Sequence, residues 1–127
     1  MIKKGIKAMR NHIIAGVRCD ELMYKTITEL SKTHGGQASI IREALIFTIK
    51  NVSLAKFDTI CTTDKDCKMN HKLNNTYLEP EYRASVLLCA EQCGGISIFV
   101  RTAIKFYITN NPEAQEIFRS IQSDIKS

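Results

Sequence analysis

The cysteines and histidines are the residues of this chain whose chemistry depends most on spacing. Cys67 and His71 lie four residues apart with Cys61 nearby, a spacing that zinc ligands can have. A closed zinc site needs a fourth ligand, which the sequence does not point to, and a Cys61–Cys67 disulfide is a second possibility. No two cysteines have the Cys-x-x-Cys spacing of zinc ribbons and redox motifs. We therefore predict no metal site and no other cofactor.

Groupings that perform catalysis are also missing from the sequence. None of the three histidines is paired with a serine or cysteine in a recognisable nucleophile–base motif. The chain has no Gly-x-Gly-x-x-Gly sequence and no phosphate-loop pattern. We predict that the protein is not an enzyme and has no catalytic residues.

Positive charge is concentrated at the start of the chain. The net charge is +5, and Lys3, Lys4, Lys7 and Arg10 all precede the first acidic residue, Asp20. A basic arm over residues 1–11 favours contact with the phosphates of a polyanion such as DNA or RNA. A solubilising tail is the other interpretation of the same charges.

Membrane and secretion signals are not evident. No apolar run approaches the ~20 residues that span a bilayer. The longest candidate, Ile40 to Ile49, is interrupted by Arg42 and Glu43. The first residues are basic but lack the apolar core of a signal peptide. We expect an intracellular protein with no membrane partner.

The chain contains an internal repeat with an offset of 59 residues. Residues 35–51 align with residues 94–110 without a gap, and seven of these 17 positions are identical. Random alignment of typical compositions predicts about one identity. The identical positions include the glycine pair at 35–36 and 94–95, and Arg42 with Arg101. We conclude that two similar structural units follow each other.

Each unit has the same order of predicted elements. Residues 12–19 alternate in polarity and predict a strand, and residues 72–78 align with them. Met23, Ile27 and Leu30 then form one apolar stripe of a helix that starts at Asp20. The glycine pair ends this helix, and a second helix follows. Each unit is therefore strand, helix, Gly-Gly turn, helix, over residues 12–51 and 71–110, with a connector over 52–70.

This pattern resembles the ribbon–helix–helix family of DNA-binding regulators, of the MetJ, Arc and CopG kind. The resemblance rests on residues 17–23 with Gly35 and residues 42–45, and on residues 78–82 with Gly94, Ser97 and residues 101–104. It implies a mainly α fold with a short two-stranded antiparallel ribbon. Because both units lie in one chain, we expect them to form an intramolecular pseudo-dimer.

The resemblance also implies a function. The family places its ribbon in the major groove of duplex DNA, where every base pair has a distinct hydrogen-bonding pattern. We therefore expect a sequence-specific regulator of transcription whose partner is double-stranded DNA. Tandem units in a small basic chain are similar to regulators of archaeal viruses, for which the compartment would be the host cytoplasm.

Two sets of residues are predicted to contact DNA. The ribbon residues expected to face outward and read bases are Ile14, Gly16, Arg18, Leu73, Asn75 and Tyr77. The residues expected to contact phosphates are Lys3, Lys4, Lys7 and Arg10 of the arm, and Gly36, Gln37, Ala38, Ser39, Gly95, Ile96 and Ser97 at the starts of the second helices. Arg42 and Arg101, one turn further along, are predicted to brace the fold instead.

The C-terminal residues 111–127 predict an amphipathic helix. It opens with Asn111 as the N-cap and Pro112 at the first helical position, and Ile117, Ile121 and Ile125 share one face. We expect this face to pack on the core or on another molecule, so that pseudo-dimers could self-associate through it. An antitoxin-like or other protein-binding module of the same fold is the alternative function, and RNA binding is a third.

Overall fold

The computed structural model describes residues 13–53, 56 and 69–126. The basic arm, Cys61 and Cys67 lie outside these residues, so what was predicted for them stays a prediction. Five α-helices make up most of the described chain, and the prediction of a mainly helical fold is confirmed. They are α1 Glu21–Ser31, α2 Gln37–Asn51, α3 Pro80–Cys93, α4 Ile96–Asn110 and α5 Pro112–Lys126.

A two-stranded antiparallel ribbon joins the segments that precede α1 and α3. Between its two paired ends, the Leu73 N–H donates to the Val17 carbonyl at 2.9 Å. Both ends have the same register, with Ile13 opposite Tyr77 and Cys19 opposite His71. The predicted antiparallel ribbon is confirmed. The paired segments are β1 Ile13–Ile14 with β4 Thr76–Tyr77, and β2 Arg18–Cys19 with β3 His71–Lys72.

The first helix of each repeat starts where the sequence predicts. The Asp20 carboxylate accepts a hydrogen bond from the Met23 N–H at 2.8 Å, which satisfies one of the free donors at the start of α1. At the start of α3, Pro80 occupies the first turn after the N-cap Glu79. Proline fits there because the N–H that it lacks would have no partner within the helix.

The turn after the first helix is built in the same way in both repeats. The Gly36 N–H donates to the Ser31 carbonyl at 3.0 Å, and the Gly95 N–H donates to the Ala90 carbonyl at 2.8 Å, an equivalent pair at the repeat offset. The first glycine of each pair has a positive φ, 82° or 95°, which favours glycine because it has no Cβ. One detail differs from the prediction: α1 ends at Ser31, before the glycine pair, whereas α3 runs directly to it.

The second helices, α2 and α4, pack against each other in the centre of the molecule. The Thr48 hydroxyl lies between the Ala44 carbonyl on its own helix, at 2.9 Å, and the Ala103 carbonyl on α4, at 3.3 Å. The rings of Phe47 and Phe106, which are equivalent in the repeat, lie 5.6 Å apart. The fully buried side chains of the core include Ile27, Leu30, Ile40, Leu45, Phe99 and Ile104.

Helix α5 packs against α1 and α4. Asn111 is its N-cap, because its side-chain oxygen accepts from the Ala114 N–H at 3.0 Å, as predicted. Ala114 is fully buried, and Ile117 and Phe118 pack against the core, so most of the apolar face of α5 is used within the chain. Ile125, near the end of the helix, is 43% exposed.

No single helix among the described residues has the length and hydropathy needed to cross a membrane. Helices α3 and α4 have the required length and hydropathy only when they are counted as one segment, and a bend of 99° separates them.

Candidate nucleic-acid interface

The ribbon has one exposed face, and the two repeats build it from equivalent positions. In the first strand, residues 14, 17 and 19 are buried and residues 15, 16 and 18 are exposed. The equivalent residues of the second strand repeat this pattern: 73, 76 and 78 are buried, and 74, 75 and 77 are exposed. We call the exposed set the ribbon face. It consists of Ala15, Gly16, Arg18, Lys72, Asn74, Asn75 and Tyr77.

Two of the predicted base-reading residues have the wrong orientation. Ile14 is 4% exposed and Leu73 is 2% exposed, so both belong to the core and do not face outward. Strict alternation fails because two consecutive residues are exposed at the centre of each strand. Gly16, with φ of 73°, is one of these residues in the first strand, and a glycine within a strand often marks such a break. The other four, Gly16, Arg18, Asn75 and Tyr77, are exposed as predicted.

Lys72 and Asn74 are part of the ribbon face, although alternation in the sequence did not predict them there. Lys72 lies directly opposite Arg18 in the ribbon register. Like charges at opposed positions of a ribbon repel each other. Neither residues 13–19 nor residues 69–77 contain an acidic residue that would offset this repulsion. The surface around Arg18 and Lys72 is therefore suited to an external anion. The glycine at position 16 was the available signal that strict alternation would fail.

The starts of the second helices have no side-chain cap. Gly36 is the N-cap of α2 and Gly95 is the N-cap of α4, and neither can supply a capping oxygen. The backbone N–H groups of the first turn, together with the helix dipole, make each start a suitable site for an anion. The residues that contribute to these turns are those predicted: Gln37, Ala38 and Ser39 in α2, and Ile96 and Ser97 in α4.

The α2 start lies next to the centre of the ribbon. The side-chain oxygen of Gln37 accepts a hydrogen bond from the Asn74 N–H. This bond fixes the first turn of α2 beside two exposed asparagines. Position 96, which corresponds to Gln37 in the second repeat, is an isoleucine and cannot form the same bond. The two helix starts are therefore held differently.

Arg101 braces the ribbon from below, as predicted. Its side chain is 9% exposed, and its Nη1 donates to the backbone carbonyl of Arg18 at 3.0 Å. It therefore fixes the strand that carries the exposed Arg18 side chain. Arg42, at the equivalent position in the first repeat, has an exposed side chain, so the bracing role predicted for it is not supported.

This difference gives a matched pair of substitutions. Arg101→Met should lower the free energy of unfolding by ~1–3 kcal/mol, because it leaves a ribbon carbonyl without its donor. Arg42→Met should change it by less than about 0.5 kcal/mol, as is usual for an exposed side chain. Urea unfolding of the two variants beside the unmodified chain measures both values. Equal reductions in the two variants would mean that the Arg101 bond does not contribute to stability.

Two side chains with potential reactivity, Cys19 and His71, lie against neighbouring groups of the fold. Burial, together with the nearby Asp20 carboxylate, raises the pKa of the Cys19 thiol to about 12, so it stays protonated at neutral pH. The His71 ring stacks on Tyr24 with a centroid distance of 4.8 Å. Among the described residues, no group of three or more histidine, cysteine, aspartate or glutamate side chains is placed to hold a metal ion.

Comparison of this chain with models of protein families, with curated proteins and with solved structures finds no match.

Proposed function

We propose that this protein is a sequence-specific regulator of transcription that binds double-stranded DNA through the ribbon face. The observation that carries the proposal is the pairing of Arg18 with Lys72 on an exposed antiparallel ribbon without acidic residues. An arginine on such a ribbon can form two hydrogen bonds to guanine, and an asparagine can do the same with adenine. Arg18 and Asn75 would have these roles.

The proposed architecture is a pseudo-dimer of two ribbon–helix–helix units within one chain. Three kinds of equivalence at the repeat offset support it. The strands of the two repeats pair with each other, the glycine turns form the same hydrogen bond, and the rings of Phe47 and Phe106 meet between the second helices. A two-stranded ribbon is narrow enough for the major groove, which is about 12 Å wide.

Phosphate contacts would come from the starts of α2 and α4. The hydrogen bond from Asn74 to Gln37 and the bond from Arg101 to the Arg18 carbonyl tie both second helices to the ribbon. A ribbon seated in the groove would therefore bring these uncapped helix starts toward the flanking backbone. Such contacts would fix the position of the protein on DNA, and the ribbon face would supply the sequence preference.

The proposal is tested by measuring affinity for duplex DNA at several salt concentrations, on sites first selected from a random pool. We expect the selection to yield one preferred sequence. A plot of log affinity against log salt concentration should have a slope of about −0.9 for each phosphate contacted. Arg18→Gln combined with Lys72→Gln should lower the preference for the selected site by ~1–3 kcal/mol, because the guanine contact of Arg18 is lost. Lys105→Gln combined with Arg119→Gln removes the same charge from α4 and α5, outside the ribbon face, and should keep that preference.

Two results would contradict the proposal. One is equal binding of selected and random duplexes by the unmodified chain. The other is an equal drop in preference in both double variants, which would assign the effect to net charge alone. Isolation of the chain in a stable complex with a second protein, without affinity for DNA, would favour the antitoxin-like alternative. Preference for single-stranded RNA over the duplex would favour an RNA-binding function.

Deletion of residues 1–10 should weaken binding to all duplex sequences alike. The deletion removes Lys3, Lys4, Lys7 and Arg10, and phosphate contacts carry little sequence information. The slope of log affinity against log salt should become shallower by up to ~0.9 for each phosphate that the arm neutralises in the complex. Parallel salt titrations of the full chain and the shortened chain measure the change. An unchanged slope would exclude the arm from the interface.

A further inference from the structure

A cavity of about 500 Å³ lies between α4 and α5. Its α4 wall includes Thr102, Lys105, Phe106 and Thr109, whose spacing places them on one face of the helix. Thr102 is buried, the Phe106 ring is half-buried, and Lys105 is exposed. This wall therefore runs from a buried threonine and a half-buried phenyl ring to an exposed cation.

The α5 wall has the same pattern of a phenylalanine beside a cation, flanked by uncharged polar residues. Gln115, Phe118, Arg119 and Gln122 line the cavity at the same helical spacing. Phe118 is half-buried and packs against the core, and Arg119 is exposed. Each wall thus presents a phenyl ring and, next to it in the sequence, a cation.

The described residues that line the cavity contribute no negative charge. None of them is acidic. Within the described part of the chain, neither Lys105 nor Arg119 forms a salt bridge with a carboxylate. By contrast, a cavity of similar volume beside α2, lined by Arg42 and Lys50, also contains Glu43. Two cations on one partly apolar cavity repel each other, and an anion between them would remove this repulsion.

We propose that the cavity between α4 and α5 binds a small organic carboxylate with an aromatic body. The carboxylate would lie between Lys105 and Arg119, and the body would pack between Phe106 and Phe118. The volume lies within the range of about 300–1,000 Å³ that is typical of sites for small molecules. Apolar walls with a few placed polar groups are also typical of such sites. This site lies outside the ribbon face, and the inference does not depend on DNA binding.

The test compares two probes with the same body, 4-phenylbutyrate and the uncharged 4-phenyl-1-butanol. Each is titrated into the ¹⁵N-labelled full chain without DNA, and amide shifts are followed by NMR. We expect the carboxylate to shift amides of residues 102–109 and 115–122, and to bind about tenfold more tightly than the alcohol, a difference of ~1.4 kcal/mol.

Two double variants with the same decrease in charge complete the test. Lys105→Gln with Arg119→Gln should weaken carboxylate binding about tenfold and leave alcohol binding unchanged, because it removes only the cations. Arg42→Gln with Lys50→Gln should change neither affinity. All four side chains are exposed, so both variants are expected to fold, which their spectra will show directly.

Three results would overturn the proposal. Equal affinities of the two probes would mean that Lys105 and Arg119 do not act on the ligand. Carboxylate-induced shifts confined to residues 36–39 and 95–97 would assign anion binding to the helix starts. No saturable shift with either probe would show that the cavity is not a ligand site. Because no DNA is present, each of these results leaves the proposed regulator function to its own test.

Discussion

Replacement of Phe99 by alanine is expected to lower the free energy of unfolding by about 3–5 kcal/mol. Phe99 lies near the start of α4 and is completely buried, so alanine removes a whole ring from the core and leaves a cavity. Small domains have only about 5–15 kcal/mol of total stability. The variant should therefore unfold at a much lower urea concentration.

Leu88→Ala is the matched control for Phe99→Ala. Leu88 lies on α3 with 54% of its surface exposed, so its truncation should change stability by less than about 0.5 kcal/mol. Urea unfolding followed by circular dichroism at 222 nm measures both variants. A decrease below ~1 kcal/mol for Phe99→Ala, or equal decreases for the two variants, would contradict the burial of this ring in the core.

Arg18→Ala and Asn75→Ala are each expected to cost ~1–3 kcal/mol of binding energy, but at different base pairs of the recognised site. The ribbon register places Arg18 opposite Lys72 and, when continued, Asn75 opposite Ala15. The two side chains are therefore three residues apart along the ribbon, which is about 10 Å. That distance corresponds to roughly three base pairs of duplex.

The asymmetry of the ribbon face explains why the affected positions should differ. A homodimeric ribbon presents the same residues twice and so prefers a palindromic site. Here the positions equivalent to Arg18 and Gly16 are Tyr77 and Asn75, so one molecule should read a non-palindromic sequence. The measurement is a binding profile over all single-base changes of the selected site, for each variant.

Each alternative outcome of these profiles has a definite meaning. Reduced preference at the same symmetric pair of positions in both variants would exclude the asymmetric ribbon. Unchanged preference at every position would mean that the ribbon does not read bases. Tyr77→Phe separates the contribution of a hydroxyl from that of a ring on the ribbon face. It removes only the hydroxyl of Tyr77 and keeps the ring of this 48% exposed residue.

Much of the fold could be predicted from local sequence signals. Asp20, Pro80 and the two glycine pairs locate helix boundaries. Asp20 accepts a hydrogen bond from a free N–H of the first turn, Pro80 has no N–H that would need a partner, and the glycines adopt the positive φ of the turns. The repeat offset predicted that the weakly alternating segment at residues 72–78 pairs as a strand, which its composition alone would not indicate. The helix-boundary signals act within a few residues, and the repeat is visible when the sequence is aligned with itself.

The orientation of the ribbon side chains required the tertiary structure. Alternation predicted Ile14 and Leu73 on the outer face, but both are buried. The core beneath the ribbon needs apolar side chains at these positions, and the strands accommodate this by exposing two consecutive residues at their centre. Burial in a shared core depends on which helix side chains lie beneath each strand. The pattern of residues along a single strand does not contain this information.

Equivalent positions of the repeat also acquired different roles only in the folded molecule. Arg42 and Arg101 are identical in the alignment, yet Arg101 is buried against the Arg18 carbonyl and Arg42 is exposed. Helix α5 packs on α1 and α4, and so forms a charged cavity on one side of the molecule. The sequence by itself determined the elements and most of their boundaries, which depend on neighbouring residues, and the repeat, which is visible in the sequence itself. Only the tertiary structure decided which faces are buried and which cations line the same cavity, because these depend on contacts between distant segments.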